Sequence, residues 1–432
     1  MQMKKVSFHN LGCKVNSYET EAMIRQFTDH GYELVGFEEP ADVCIVNTCT
    51  VTGIADRKSR QMLHRARKLN PGATVVAVGC YVQADPARCQ ADPAIDLVIG
   101  NDEKSHLYEL VSAMESRTCD IGSAREFEEM RIDDTVLHTR AFLKVQDGCN
   151  QFCSYCLIPY VRGRVRSRDI NLVAEEAKRL ADSGCREVVL TGIHLSSYGT
   201  DGSASQMGPP LLELIGRVSE VMCEGRIRLG SLEPRIITPD FVSGISVIKN
   251  LCPHFHLSLQ SGCDDTLRRM NRHYTTEDFA RSCSILRDAY EHPAITTDVI
   301  VGFPGESDDE FSQTVRFLTD VDLYEMHVFK YSLRRKTAAE RLPGRVASDI
   351  MEERSRVLLE MSARHSRAFA AYYADHPSAV LLEEIETVDG TDYYTGYNPE
   401  YVRFLVPAAG HREGEILTCL YSAPRRTFEE TD

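Results

Sequence analysis

Cys149, Cys153 and Cys156 stand close together in "DGCNQFCSYC", at the spacing C-x3-C-x2-C. Three thiolates so spaced can hold three irons of a cubane 4Fe–4S cluster and leave the fourth iron open to a reactant. A structural zinc would need a fourth ligand nearby, and the next Cys and His are Cys185 and His194. Arg162, Arg164, Arg166 and Arg168 follow at once, in a chain whose net charge is −15. Guanidiniums beside an exposed reactive centre fit bidentate phosphate grips, and so an RNA partner. A second trio, Cys13, Cys49 and Cys80, is spread along the chain, but each member follows a strand-like run such as "VCIVNT" or "TVVAVG". Such positions converge at the carboxyl edge of a parallel sheet, where open α/β folds bind ligands. Buried apolar cysteines fit the same pattern, as Cys44 within its own run shows.

Three sections must position these residues. Residues 2–114 alternate β-branched runs with helical stretches, "SYETEAMIRQFTDHGY" and "GIADRKSRQMLHRARKLNP" among them, and predict an open, flavodoxin-like α/β sheet. Residues 115–134 are polar and acid-rich and read as a linker. Over 135–371, six strands ("AFLKVQ", "REVVLTG", "RIRLGS", "FHLSLQ", "AITTDVIVGF", "YEMHVFKYS") alternate with amphipathic helices. That pattern predicts a partial (βα)6 barrel whose first strand delivers Cys149 at its carboxyl end. Short strands over 374–432 predict a small β-barrel.

The 432 residues suffice for two or three domains, and no run of eighteen apolar residues marks a membrane span. The start, "MQMKKVSFHN", turns polar too soon for a secretory signal, so a cytoplasmic protein is expected. Fifteen cysteines in a reducing compartment point to metal ligation rather than disulfides. In the helix at 53–69, Arg57, Arg60 and His64 share a face, which fits RNA contact or a plain solvated surface.

The motif C-x3-C-x-aromatic-C, with Tyr155 as the aromatic, resembles the radical S-adenosylmethionine (SAM) enzymes. That resemblance implies SAM chelated at the open iron and cleaved to a 5′-deoxyadenosyl radical, with contacts at Tyr155, Gly192, Glu233, Gln260 and Gly302. Gly302 equally fits a tight turn, and Gln260 a satisfied core polar group. "LGCKVNSYETE", "VNTCTVT" and "VGCYVQ" are similar to the amino-terminal domain of the methylthiotransferases. In that family Cys13, Cys49 and Cys80 would hold a second 4Fe–4S cluster that carries the inserted sulfur, and the last section would be a TRAM-like barrel. The wording is most similar to the bacterial branch that methylthiolates N6-threonylcarbamoyladenosine at position 37, next to the tRNA anticodon. The isopentenyl-adenosine branch typically has Gln after the first cysteine, where "GCKVN" has Lys. The resemblance further implies a flavodoxin- or ferredoxin-type electron donor, and neither DNA nor membrane as partner. One departure stands out: residues 378–432 carry four arginines, no lysine and eleven acids, unlike a basic RNA-binding barrel.

Overall fold

The computed structural model describes residues 3–135, 138–202 and 209–421. Strands β1 (Lys5–Asn10), β2 (Glu33–Val35), β3 (Val43–Thr48), β4 (Thr74–Gly79) and β5 (Leu97–Ile99) form one parallel sheet in the order β2-β1-β3-β4-β5. Both faces are covered, which is why the strands read as continuous apolar runs. Helix α1 (Lys14–Asp29) shares a core with Val6, Ile45, Val76 and Val78, and α2 (Gly53–Leu69) packs Leu63 and Ala66 on Cys44, Val46 and Val75. Thr52 caps α2 by accepting the Ala55 amide at 3.1 Å. Helix α1 begins before the stretch "SYETEAMIRQFTDHGY", with Cys13 itself at the N-cap.

The expected linker is not a free connector. Its backbone joins the edge of β5 (Gly100 N to Arg117 O, 2.8 Å), and Ile121, Met130 and Ile132 are buried. The acids that made it look solvated face arginines, as Glu129 faces Arg168 at 2.9 Å.

The next section carries the six parallel strands expected. They are β6 (Ala141–Asp147), β8 (Glu187–Gly192), β9 (Arg226–Leu229), β10 (His254–His256), β11 (Ala294–Val301) and β12 (Glu325–Lys330). Parallel bridges Ile227–Leu251 and Leu232–Leu257 join the β9 and β10 segments, so the strands form one curved sheet. A short antiparallel strand, β7 (Arg166–Ser167), lies on the outer edge of β6.

The last section is antiparallel, in the order β15 (Arg403–Pro407), β14 (Thr391–Tyr397), β13 (Ser378–Val388), β16 (Ile416–Cys419), with a bulge in β13 between Leu382 and Ile385. Residues 422–432 of the predicted barrel lie outside the described residues. This sheet covers the amino ends of the barrel strands: Arg226 and Arg228 donate to the carbonyls of Ala379, Tyr397, Asn398 and Pro399. The amino-terminal domain docks at the opposite end, on the loops after β6 and β12. There Asn101 Nδ2 donates to Val161 O at 2.7 Å, and Arg334 meets Asp56 at 2.8 Å.

Candidate functional site

Each upstream cysteine directly follows a strand of the first sheet. Cys13 comes just after β1, Cys49 ends the run begun by β3, and Cys80 opens a short helix after β4. Since β1, β3 and β4 are adjacent, the three thiols share one edge. Burial and the neighbouring Cys80 and Cys13 push the Cys49 thiol up to about 12. Gly12 makes this approach possible: its φ is +107°, and a Cβ there would lie 3.0 Å from Cys49 Sγ. Cys80 Sγ accepts from Asn101 Nδ2 at 3.4 Å and from Arg162 Nε at 3.3 Å.

Cys149, Cys153 and Cys156 lie on a loop leaving the carboxyl end of β6. Gly148, at φ +70°, lets the chain turn so tightly that a Cβ would meet Arg164 O at 1.8 Å. The Cys149 amide then donates to Gly163 O at 3.0 Å, which closes the loop. Every member has a donor on its sulfur: the Gln151 amide on Cys149 (3.5 Å), Arg272 Nη1 on Cys153 (3.0 Å) and the Ile158 amide on Cys156 (3.4 Å). Burial pushes the Cys149 thiol up to about 11 and, with Cys153 beside it, the Cys156 thiol up to about 12. Arg272 was not legible in sequence; nothing sets it apart from its neighbours Arg268 and Arg269 in "RRMNRHY".

Most of the expected SAM contacts gather around this loop. Tyr155 donates to Gln260 Oε1 at 3.0 Å, and Gln260 stands at φ +73° between the β10 and β11 segments. The buried Glu233 carboxylate receives Arg235 Nε at 3.0 Å and lies 3.6 Å from His194 Nε2. Gly192 and Gly302 have packing reasons instead. A Cβ at Gly192 would lie 2.8 Å from Gln146 Oε1, and one at Gly302 would lie 2.2 Å from Met351 Cγ. Gly302, at φ +75°, also donates its amide to Glu306 at 2.6 Å, as a strand-to-helix turn requires.

The arginine run departs from expectation. Arg162, Arg166 and Arg168 are 0%, 2% and 3% exposed. Arg162 donates to Glu19 (2.5 Å) and Asp147 (3.2 Å), Arg166 to Asp102 (2.9 Å), and Arg168 to Glu176 (2.6 Å) and Glu129 (2.9 Å). They bind the domains together and offer no phosphate grip, because buried charges need partners and have them here. Lys104 and Lys144, both fully buried, also meet Glu19. Arg164 alone faces water, with its guanidinium 4.6 Å above the Phe152 ring. Tyr160, also exposed, packs edge-on to Phe152 at 5.9 Å. On α2, Arg57 is exposed and Arg60 half-buried; with His64, Arg88 and Asp92 they line an open groove of about 650 Å³.

Lys14 is the residue that motif reading undervalued. Its side chain is exposed, yet the charges acting on it, Arg140, Arg228, Glu187 and Asp298, belong to the barrel section. Burial, then Arg140 and Arg228, lowers its amine to about 8, with Glu187 and Asp298 opposing them.

Among the described residues no three His, Cys, Asp or Glu side chains are placed to hold a metal ion together. A cubane would be held at each trio by three thiolates, one per iron, with the fourth iron left open. Both trios offer soft sulfur donors, glycines that admit close approach, and N–H groups aimed at sulfur.

This arrangement of barrel, loop and thiols defines a radical SAM enzyme, and comparison agrees. Residues 143–318 match the Radical SAM superfamily, and residues 5–100 match the group described as Uncharacterized protein family UPF0004. The chain is 37% identical over 422 residues to the Threonylcarbamoyladenosine tRNA methylthiotransferase MtaB of Bacillus subtilis (strain 168), covering 96% of this chain and 93% of that one. It is 32% identical over 410 residues to the tRNA-2-methylthio-N(6)-dimethylallyladenosine synthase of Pelotomaculum thermopropionicum, covering 92% and 90%. The radical SAM methyltransferase TsrM from Kitasatospora setae shares the fold at a TM-score of 0.55 and 15% identity, over 98% of this chain and 88% of that one. The chain belongs to the radical SAM methylthiotransferase family. It is a SAM-dependent transferase whose cofactors are SAM and two 4Fe–4S clusters.

Proposed function

We propose that the enzyme replaces the C2 hydrogen of N6-threonylcarbamoyladenosine, at position 37 beside a tRNA anticodon, with a methylthio group. The observation that carries this choice of base is Lys14. The threonylcarbamoyl group ends in a carboxylate, whereas the dimethylallyl group is a neutral hydrocarbon. An exposed amine next to Cys13, acted on by charges of the barrel section, suits the first and is wasted on the second. When bound, SAM and the clusters supply the electron, the carbon radical and the sulfur, chemistry that no side chain can provide.

The chain's own residues orient and insulate. Arg272 offsets charge at Cys153, and Tyr274 holds Arg272 by accepting from its Nε at 2.9 Å. Glu233 and Gln260 present polar groups to SAM beside the Cys149 loop. The anticodon loop would approach over exposed Arg164, with Phe152 and Tyr160 as stacking faces, while Arg57, Arg60, Arg335 and Lys336 meet phosphates. A flavodoxin- or ferredoxin-type protein would supply electrons. No helix among the described residues is long and apolar enough to cross a membrane, and we place the enzyme in the cytoplasm with its RNA.

The test is mass spectrometry of tRNA nucleosides from a strain lacking this chain. Loss of 2-methylthio-N6-threonylcarbamoyladenosine, with its unthiolated precursor accumulating, supports the reading. Normal levels of that nucleoside contradict it, and loss of the isopentenyl derivative instead would assign the other base.

A further inference from the structure

One side chain joins the two cysteine sites without being a ligand in either. Arg162 ends the short helix Ile158–Val161 that follows Cys156. Its amide donates to Ile158 O at 2.8 Å, and the next residue, Gly163, accepts the Cys149 amide at 3.0 Å. Its backbone thus belongs to the loop of the Cys149–Cys153–Cys156 site. Its side chain crosses to the other domain, 0% exposed, and Nε donates to Cys80 Sγ at 3.3 Å. Nη2 donates to Asn16 Oδ1 at 2.5 Å and Nη1 to Glu19 at 2.5 Å, which fixes the guanidinium plane from three sides. Asn101 repeats the link: its Nδ2 reaches Cys80 Sγ at 3.4 Å and Val161 O at 2.7 Å. The sulfurs of Cys13 and Cys49 are met by backbone amides, of Asn16 and Val51. Cys80 is therefore the upstream thiol that takes a hydrogen bond from the guanidinium.

We propose that Arg162 is a positioning residue for the upstream cluster: it holds Cys80 by a charge-assisted N–H···S bond and thereby raises that cluster's reduction potential and fixes its placement over the Cys149 loop. The reading rests on Cys13, Cys49 and Cys80 holding a cluster. Reduction adds negative charge to a cluster and its sulfurs, and a buried guanidinium at one sulfur stabilises the reduced form more than the oxidised one. Glu19 does not cancel this, because Lys104 and Lys144 also share its carboxylate. A mere interdomain clamp would use the same ion pairs but leave the potential alone.

The experiment is a potentiometric titration, followed by electron paramagnetic resonance, of oxygen-free full-length protein carrying Cys153→Ala, so that one cluster remains. Arg162→Gln should move the midpoint to a more negative potential, Asn101→Ala should move it the same way by less, and Arg162→Lys should fall between Arg162→Gln and the parent. Melting temperature is read in parallel. Variants that melt earlier with an unmoved midpoint would overturn the proposal and leave Arg162 as a clamp. Should Arg162→Gln fail to fold, unmoved midpoints in both Arg162→Lys and Asn101→Ala would overturn it equally. A Cys153→Ala parent with no iron would refute the upstream cluster itself, and the proposal with it.

Discussion

A buried thiol and an iron ion compete with a proton for the same sulfur. Burial pushes the Cys49 and Cys156 thiols up to about 12 and the Cys149 thiol up to about 11, so iron would displace protons from these sulfurs on loading. Iron affinity should fall as pH drops, by about tenfold per displaced proton per pH unit. Chelator competition between pH 8 and pH 6 checks this, and flat retention would show that the thiols are already ionised. Lys14 carries the second prediction at this scale. Lys14→Gln should raise KM for threonylcarbamoyladenosine tRNA by about tenfold, the size of one charge-assisted contact, with a smaller change in kcat. Unchanged KM in steady-state assays would place the carboxylate elsewhere. The position of each trio at the carboxyl ends of parallel strands was legible because strand context is local. The arginine run was not, because its partners are distant: Glu19 lies 143 positions from Arg162. A run of charge reads as surface until the chain brings acids to it.

At the scale of elements, two joints decide whether the site assembles. The first is the turn after β6. Gly148→Ala must force a Cβ against Arg164 O from a left-handed backbone, a strain of about 1–3 kcal/mol even before the loop moves. Iron analysis of that variant should show the Cys149 site impaired and the upstream site retained; equal loss at both would mean the turn supports the whole fold. The second joint is Glu187, at the start of β8. It accepts from Arg226 Nε at 2.5 Å and Arg228 Nε at 2.7 Å, and these arginines hold the carboxy-terminal sheet. Although burial opposes it, Arg228 and Arg226 lower the Glu187 carboxyl to about 2. A depressed carboxyl stabilises the fold above its unfolded value, near 4.5, and that contribution, on the order of 3 kcal/mol, is lost as pH falls toward 2. Glu187→Gln should therefore melt well below the parent at pH 7, and the gap should close between about pH 5 and pH 2. Parallel curves across that window would contradict the assignment. The strands and α2 were legible from periodicity. The linker misled because its acids, partnered in space, look solvated in sequence.

The whole molecule is a stack with chemistry at one end. The amino-terminal sheet sits on the carboxyl ends of the barrel strands, where both trios meet, and the acidic carboxy-terminal sheet covers their amino ends. Tyr397 and Tyr401 of that sheet lie under Arg140, at 5.2 and 5.0 Å, and Tyr394 and Phe404 are buried. Its rings are thus largely committed to packing. The domain order was visible in sequence; which end each domain caps was not, because docking depends on contacts between residues far apart in the chain.

The central claim is two facing sites, each with three thiolates and one open iron. Iron content of oxygen-free preparations, read beside SAM cleavage, tests it most directly. The parent should hold about eight irons per chain, and Cys13→Ala about four while still releasing 5′-deoxyadenosine from SAM. About four irons in the parent, or a Cys13→Ala variant that loses both iron sets together, would contradict it.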